Sequence, residues 1–404
     1  MSFSGFRPTR GVLGVISLVM LSFTGTFALR ILTPALSFFM REDLNASLLG
    51  VSSLTIAYML GRSLSAYFSG RIITGKNTYV IPPLSLIVSF LLVFLYPYAT
   101  SWILVSSIRG IQGFLMGLTW PIIQAVVATT VRRGVRGGIM SSYFFAGSIA
   151  GPASNWIYAA FLAEMPIYSS VVFSGIFYLA SALLAFIGAY LVYNSASGSN
   201  LEAPPVKTSS KEKVKHTKTT MSKNALLLLG FGIGGIASLY GFSAIYVYLK
   251  ETFDLTKESV AFLLGLVDMV ALAIKLVSGF LADKYGLENL LKISIGVSIA
   301  GILIMIPSNY ILFLMGLSLI VFGSSGFKPV SRALASLFPE PKDVIGKLNS
   351  FSNIGTVTAQ LLAGGLYEVL KYLLPFVTPF PIILVPYLII ITASGIGLTR
   401  LEPK

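Results

Sequence analysis

Gly279-Phe280-Leu281-Ala282-Asp283-Lys284-Tyr285-Gly286 separates two long apolar runs, one ending at Leu281 and the next beginning at Leu290. So short a polar interval reads as a tight turn between two membrane helices. Gly279 lets two helix backbones approach closely. Asp283 and Lys284 sit at the water boundary, where charge is tolerated. Gly286 supplies a helix end in the left-handed backbone that glycine adopts at least cost. A plain helix C-terminus with a charged turn has the same composition, so the meaning of the stretch depends on which helices flank it.

The chain of 404 residues is 55% hydrophobic and 11% charged, with mean hydropathy +0.84. A soluble chain carries about 25% charge, so this composition belongs to a membrane protein with many spans. The net charge of +14 would suit nucleic acid, but its placement argues for lipid. Arg7 and Arg10 precede the first apolar run, Arg132, Arg133 and Arg136 share one loop, and six lysines from Lys207 to Lys223 crowd one linker. Alternate loops are poor in Lys and Arg. This positive-inside pattern makes the basic loops cytoplasmic. There is no cysteine, so thiol chemistry, disulfides and cluster ligation are excluded. The first run is too long for a signal peptide and lacks a cleavage site of small residues.

Apolar runs long enough to span fall at Val12–Phe39, Leu48–Ile73, Val80–Tyr98, Ile103–Val131, Ile139–Leu162 and Ser169–Val192. Six more follow at Ala225–Leu249, Val260–Leu281, Leu290–Ile306, Ile311–Leu337, Ile345–Leu370 and Ile382–Leu398. The expected organisation is an N-terminal bundle over 11–193, a basic cytoplasmic linker over 194–221 and a C-terminal bundle over 222–398. The linker holds Pro204-Pro205 and the only histidine, His216, and has too little apolar surface to fold alone. Pro121, Gly138, Ser142 and Gly147 match Pro329, Gly346, Ser350 and Gly355 at one constant offset, so the halves read as repeats.

Between the second and third runs of the second half, the stretch 279–286 resembles the loop signature G-x-L-A-D-R/K-x-G of the major facilitator superfamily. Gly70-Arg71 through Gly75-Lys76 is its first-half counterpart, with Thr74 where an acid is expected and a shorter turn. Arg109-Gly110-Ile111-Gln112-Gly113 resembles the R-x-x-Q-G motif of the family's fourth helix; a snorkelling Arg followed by small packing residues is the alternative. Gly147-Ser148-Ile149-Ala150-Gly151-Pro152 resembles the G-x-x-x-G-P element of its antiporters, although Ser154 and Asn155 replace the small residues that usually follow; a Gly/Pro bend is the alternative. The resemblance implies an all-α membrane protein with 12 transmembrane helices in two pseudo-symmetric six-helix bundles, both termini cytoplasmic. It also implies secondary transport by alternating access, with the switch carried by Gly279, Asp283, Lys284, Gly286, Gly70, Arg71, Gly75, Lys76 and Arg62.

A charge at mid-bilayer costs about 2.5–3.5 kcal/mol on insertion scales, yet several charges fall deep in the runs. Arg30 shares a helical face with Thr26, Thr33 and Ser37. Arg62 follows Thr55 and Tyr58 along the second run, and Lys328 and Arg332 are one turn apart in the tenth. Asp268 and Lys275 share a face of the eighth run, and Asp268 is the one acid placed near mid-bilayer. In one reading these groups are internal ion pairs. In the other, Arg30, Lys328 and Arg332 attract an anion into a central cavity lined also by Tyr58, Gln112, Trp120, Asn353 and Gln360, with Asp268 and Lys275 coupling transport to protons or cations. One acid cannot neutralise five cations, which favours the anion. Trp120 would stack on substrate or pack. Gly230, Gly232, Gly234, Gly235 and Gly241 make the seventh run bendable, and Tyr240, Tyr246 and Tyr248 near its outer end read as an interfacial belt or an outer gate.

The expected function is therefore a secondary active transporter, a proton-linked carrier of a small organic anion, in the plasma membrane. Proton-coupled multidrug efflux is the runner-up, and a non-transporting sensor or scaffold is the third reading. The expected partners are a small-molecule substrate, the lipid bilayer and a proton or cation gradient, with no nucleic acid, for a monomer. An enzyme would need a nucleophile and base or metal ligands; none is offered, and neither metal nor cofactor is expected. No G-x-x-x-x-G-K-S/T loop is present, so an ion gradient supplies the energy.

Overall fold

A computed structural model of the chain describes residues 10–72, 77–130, 133–198, 222–240, 243–307, 309–335, 338, 341–373, 384, 387–389 and 391–392. Regular structure among these residues is helical throughout, as lipid demands, since it offers no partner to a free backbone group. The helices are α1 (Arg10–Glu42), α2 (Leu48–Ile72), α3 (Asn77–Val93), α4 (Trp102–Thr130), α5 (Arg133–Ile157) and α6 (Ile167–Gly198). After the linker come α7 (Lys223–Tyr240), α8 (Ala244–Phe253), α9 (Lys257–Tyr285), α10 (Leu287–Met305), α11 (Tyr310–Ala335) and α12 (Pro341–Leu373). Seven of these segments are long and apolar enough to cross a membrane by length and composition: those at Gly11–Glu42, Tyr79–Tyr98, Trp102–Val127, Ile167–Asn194, Lys223–Tyr240, Leu287–Met305 and Tyr310–Phe327. Most of the expected twelfth run lies outside the described residues, as does most of the linker. α6 continues to Gly198, beyond the expected start of that linker.

Packing follows small residues. α4 lies against α2 because Gly113 meets the Tyr58 carbonyl and Gly117 meets Arg62 backbone; any side chain there would force the backbones apart. α5 packs on α1 and α12 packs on α7. The repeat appears in these contacts: Gly147 meets Ser22 of α1, and its counterpart Gly355 meets the Phe231 carbonyl of α7. Two seams join the helices before the linker to those after it, α5 against α9 and α2 against α12.

Three local expectations change. The seventh run is two helices, α7 and α8, parted after Tyr240. The glycines of α7 serve close packing more than bending: Gly230 rests on Leu348 and Gly234 on the Ser352 backbone, both on α12. The outer tyrosines do not form an interfacial belt, because Tyr246 and Tyr248 are buried at 5% and 4% exposure. Gly286 does take a positive φ of 82°, with ψ 149°. That is not the left-handed helical conformation, and it makes Gly286 a one-residue joint that starts α10. The quoted stretch is thus the last turns of α9 plus this joint.

Candidate functional site

Two of the deep charges, Asp268 and Arg30, lie where α1, α5, α8 and α9 converge. Asp268 projects from α9 and is buried. Its Oδ2 accepts a hydrogen bond of 3.0 Å from Asn155 Nδ2 on α5. Asn155 Oδ1 accepts in turn from the Tyr246 hydroxyl of α8 at 2.8 Å. These two bonds settle the amide's orientation: its N–H side faces the acid. Arg30 of α1 lies close enough for the charge of Asp268 to act on it, with Tyr240, Tyr246 and Tyr58 also around it. The Tyr240 hydroxyl reaches the Leu264 carbonyl at 3.5 Å.

α5 is cut to fit this acid. A Cβ on Gly151 would lie 3.0 Å from Asp268 Cγ and Oδ2 and 3.1 Å from Oδ1. Within the G-x-x-x-G-P element, Gly147 therefore admits α1 and Gly151 admits the carboxylate; Pro152 is buried within a continuous helix. Further along the seam Lys275 Nζ donates to Ser148 Oγ at 3.1 Å, and Trp156 Nε1 donates to the Phe262 carbonyl at 3.3 Å. Asp268 and Lys275 share a face, as their spacing requires, and both meet α5.

Arg109 does not snorkel. It is 6% exposed and turns inward, donating to Gln112 Oε1 at 3.2 Å, the Leu29 carbonyl at 3.2 Å and Thr33 Oγ1 at 3.3 Å. Its guanidinium lies 5.4 Å from the Tyr58 ring centroid. Gln112 is fully buried and also accepts from the Tyr96 hydroxyl at 2.7 Å. The spacing of the motif could have shown that Arg109 and Gln112 share a face, but not that the face is internal.

The other expected residues scatter. Trp120 packs: its ring would be 2.9 Å from a Cβ on Gly25 of α1. Gln360 of α12 is fully buried, and neither of its amide atoms has a hydrogen-bond partner. Asn353 is half-buried on the same helix. Arg62 lies near Tyr143. Lys328 and Arg332 are placed only as helical backbone of α11, and Gly70, Arg71, Gly279 and Asp283 only as backbone of α2 and α9. Gly75 and Lys76 lie outside the described residues. Lys284 is exposed, its Nζ 5.3 Å from the Tyr285 ring centroid. An apolar groove of about 520 Å³ between α9 and α11, lined by Leu266, Val270, Ile311, Met315 and Phe322 among others, holds none of these polar groups.

At the end of the bundle where α1 stops and α9 starts, ion pairs cross from one set of helices to the other. Arg41 pairs with Glu251 through Nε at 2.5 Å and Nη2 at 3.1 Å. Glu42 receives Lys250 at 2.5 Å and Lys257 at 2.7 Å. Leu48 N donates to Glu368 at 2.6 Å. Beside them the Glu164 carboxyl is held above the usual carboxylate range by hydrogen bonding to Glu258 and by that residue's charge. Among the described residues, no three His, Cys, Asp or Glu side chains converge as metal ligands.

The chain matches the sequence model of the Major Facilitator Superfamily over residues 18–344, and again over 226–396. No curated protein sequence matches it significantly. Among solved structures, the peptide transporter POT in complex with sulfate is similar at TM-score 0.70 and 12% identity, covering 100% of this chain and 96% of that one. A variant of the nucleoside transporter NupG gives 0.69 at 13% identity, over 96% and 100%. The human organic anion transporter MFSD10 gives 0.64 at 14% identity, over 97% and 100%. At these identities the likeness is one of fold.

Proposed function

The chain belongs to the Major Facilitator Superfamily, a family of multi-pass membrane transporters, and on that premise we propose a proton-linked carrier of a small organic anion working by alternating access. The observation that carries this reading is the buried acid Asp268, held by α5 through Asn155 at the α5/α9 seam, with Arg30 of α1 within range of its charge. A substrate carboxylate competes with Asp268 for the Arg30 guanidinium. Once the substrate has Arg30, Asp268 is the buried acid left to carry the coupling proton. One proton then accompanies one negative charge. The linkage is reciprocal: protons tighten anion binding as much as the anion tightens proton binding.

The seam adds the conformational step. While charged, Asp268 holds α5 through Asn155; once neutral, it holds α5 more weakly, because hydrogen bonds to charged groups are the stronger ones. Substrate and proton together therefore bias the packing of α5 on α9, which gives the differential stabilisation that a shift between states requires. Twelve spans in two six-helix bundles, a cytoplasmic linker and termini, a monomer and the plasma membrane complete the proposal. Lys328 and Arg332 would supply further anion contacts from α11. The fold shared with a transporter described as carrying organic anions is consistent with this substrate class.

Multidrug antiport rested on the Gly151-Pro152 element. Gly151 now has a local explanation as clearance for a carboxylate, which weakens that reading. Proteoliposomes decide among the three functions. With Asp268→Asn we expect pH-driven accumulation to vanish while substrate exchange persists. A folded mutant with the wild-type response to a pH gradient would sink the coupling role. A thermal-shift screen in which hydrophobic amines stabilise the protein and small anions do not would move the assignment to drug efflux. Absence of any uptake would leave the sensor.

A further inference from the structure

We propose that the first six helices enclose a second anion site, formed by Arg109, Gln112, Tyr58 and Tyr178, that takes a small inorganic monoanion of the size of chloride. Arg109 is buried, and its hydrogen bonds go to neutral acceptors: the Gln112 amide oxygen, the Leu29 carbonyl and the Thr33 hydroxyl. Among the described residues no carboxylate pairs with it. A buried cation held by neutral groups alone retains most of its desolvation penalty.

The second observation is independent of the first. Gln112 Nε2, the Tyr58 hydroxyl and the Tyr178 hydroxyl are buried without a hydrogen-bond partner. Gln112 Oε1 is already taken by Tyr96 and Arg109, so the amide cannot flip and its NH2 must point to something else. Tyr178 of α6 lies within range of the Arg109 charge, with Tyr58 and Tyr96 also near it. Unsatisfied buried groups of this kind call for a ligand. Every free group here can donate, and the one formal charge is positive, so the ligand is an anion. The side chains are 0–6% exposed, so the proposal is confined to a single-atom ion and does not extend to an organic acid.

This site is independent of the transport proposal, although Tyr58 borders both Arg109 and Arg30. The test is thermal unfolding of the purified full-length protein in sodium bromide or chloride against sodium gluconate at equal ionic strength. Wild type should gain stability saturably with halide. Tyr178→Phe, which removes one unpartnered oxygen, should raise the half-saturating halide concentration about tenfold, as loss of one hydrogen bond to a charge predicts. Arg30→Gln should leave halide stabilisation in place, whatever it does to transport. No saturable halide effect in wild type, an unchanged midpoint in Tyr178→Phe, or loss of the effect in Arg30→Gln would each overturn the site. If Tyr178→Phe does not fold, anomalous diffraction from wild-type crystals in bromide decides. A peak within hydrogen-bond reach of Gln112 Nε2 supports the site, and its absence at saturating bromide refutes it.

Discussion

Gly151→Ala tests the α5/α9 seam most directly. The added methyl would stand 3.0 Å from Asp268 Cγ and Oδ2, where carbon contacts are comfortable at about 3.5–4.0 Å. The acid must retreat by about 0.5 Å. That stretches its 3.0 Å bond from Asn155 to about 3.5 Å, beyond a useful hydrogen bond. Overpacking of this kind costs about 1–3 kcal/mol. Alanine also favours the helix by about 1 kcal/mol over glycine, but that gain is present in every conformation of the carrier and cancels from their ratio. The clash exists only while α5 lies on α9. The population with this seam closed should therefore fall about 5- to 150-fold relative to the opened one.

The chain has no cysteine, so spin labels at Ser101, just before α4, and Ser259, in the first turn of α9, both exposed, report the change as a longer distance. The decisive measurement is the double-mutant cycle with Asp268→Ala. Removing the carboxylate removes the obstacle, so Gly151→Ala should then shift nothing further. An equal shift with and without the carboxylate would refute the clearance argument.

Ser209→Cys in the linker should resist an impermeant thiol reagent added to intact cells, and rapid labelling would reverse the proposed orientation. Glu42→Gln removes the charge that receives Lys250 and Lys257; partly exposed pairs are worth about 0.2–1 kcal/mol each, so losing both should shift the populations in the Ser101–Ser259 distance distribution by about 2- to 30-fold, and by less in high salt. Glu164 carries a carboxyl raised by Glu258, so its contribution to the closed rim is full at low pH and is lost as pH rises through that raised range. Glu164→Gln should flatten the pH dependence of rim closure between acid and neutral pH, and an unaltered profile would dismiss the pair.

Hydropathy and the loop motif carried the all-helical fold and its family, because lipid leaves helices as the available solution. The site was legible in part. Asp268 stood out as the lone deep acid, and Arg30 as a deep cation. Their company was not legible: Asn155 lies 113 residues from Asp268 and drew notice only as a departure from small residues. A helix apolar on all sides hides which face packs inward. α6 shows why, exposing Ile176, Leu183 and Phe186 while burying Tyr178, Ser181 and Ala185 with no contrast in its pattern. The same ambiguity left a snorkelling end residue open as the alternative for Arg109. The glycines of α7 read as bends because composition cannot distinguish a bend from close approach.

The two seams that join the helices before the linker to those after it are chemically unlike. α2/α12 closes with Gly364 against Leu49 and Ser52, and with the Leu48–Glu368 bond at its rim. α5/α9 encloses Asp268 and Lys275. Among the described residues, ionisable chemistry deep within a seam lies on one side, at α5/α9. The motion should then be lopsided, like a door whose latch is on one jamb and whose hinge is on the other. Substitutions that loosen α2/α12 would change how far and how fast the door swings, and those in α5/α9 would change what key turns it.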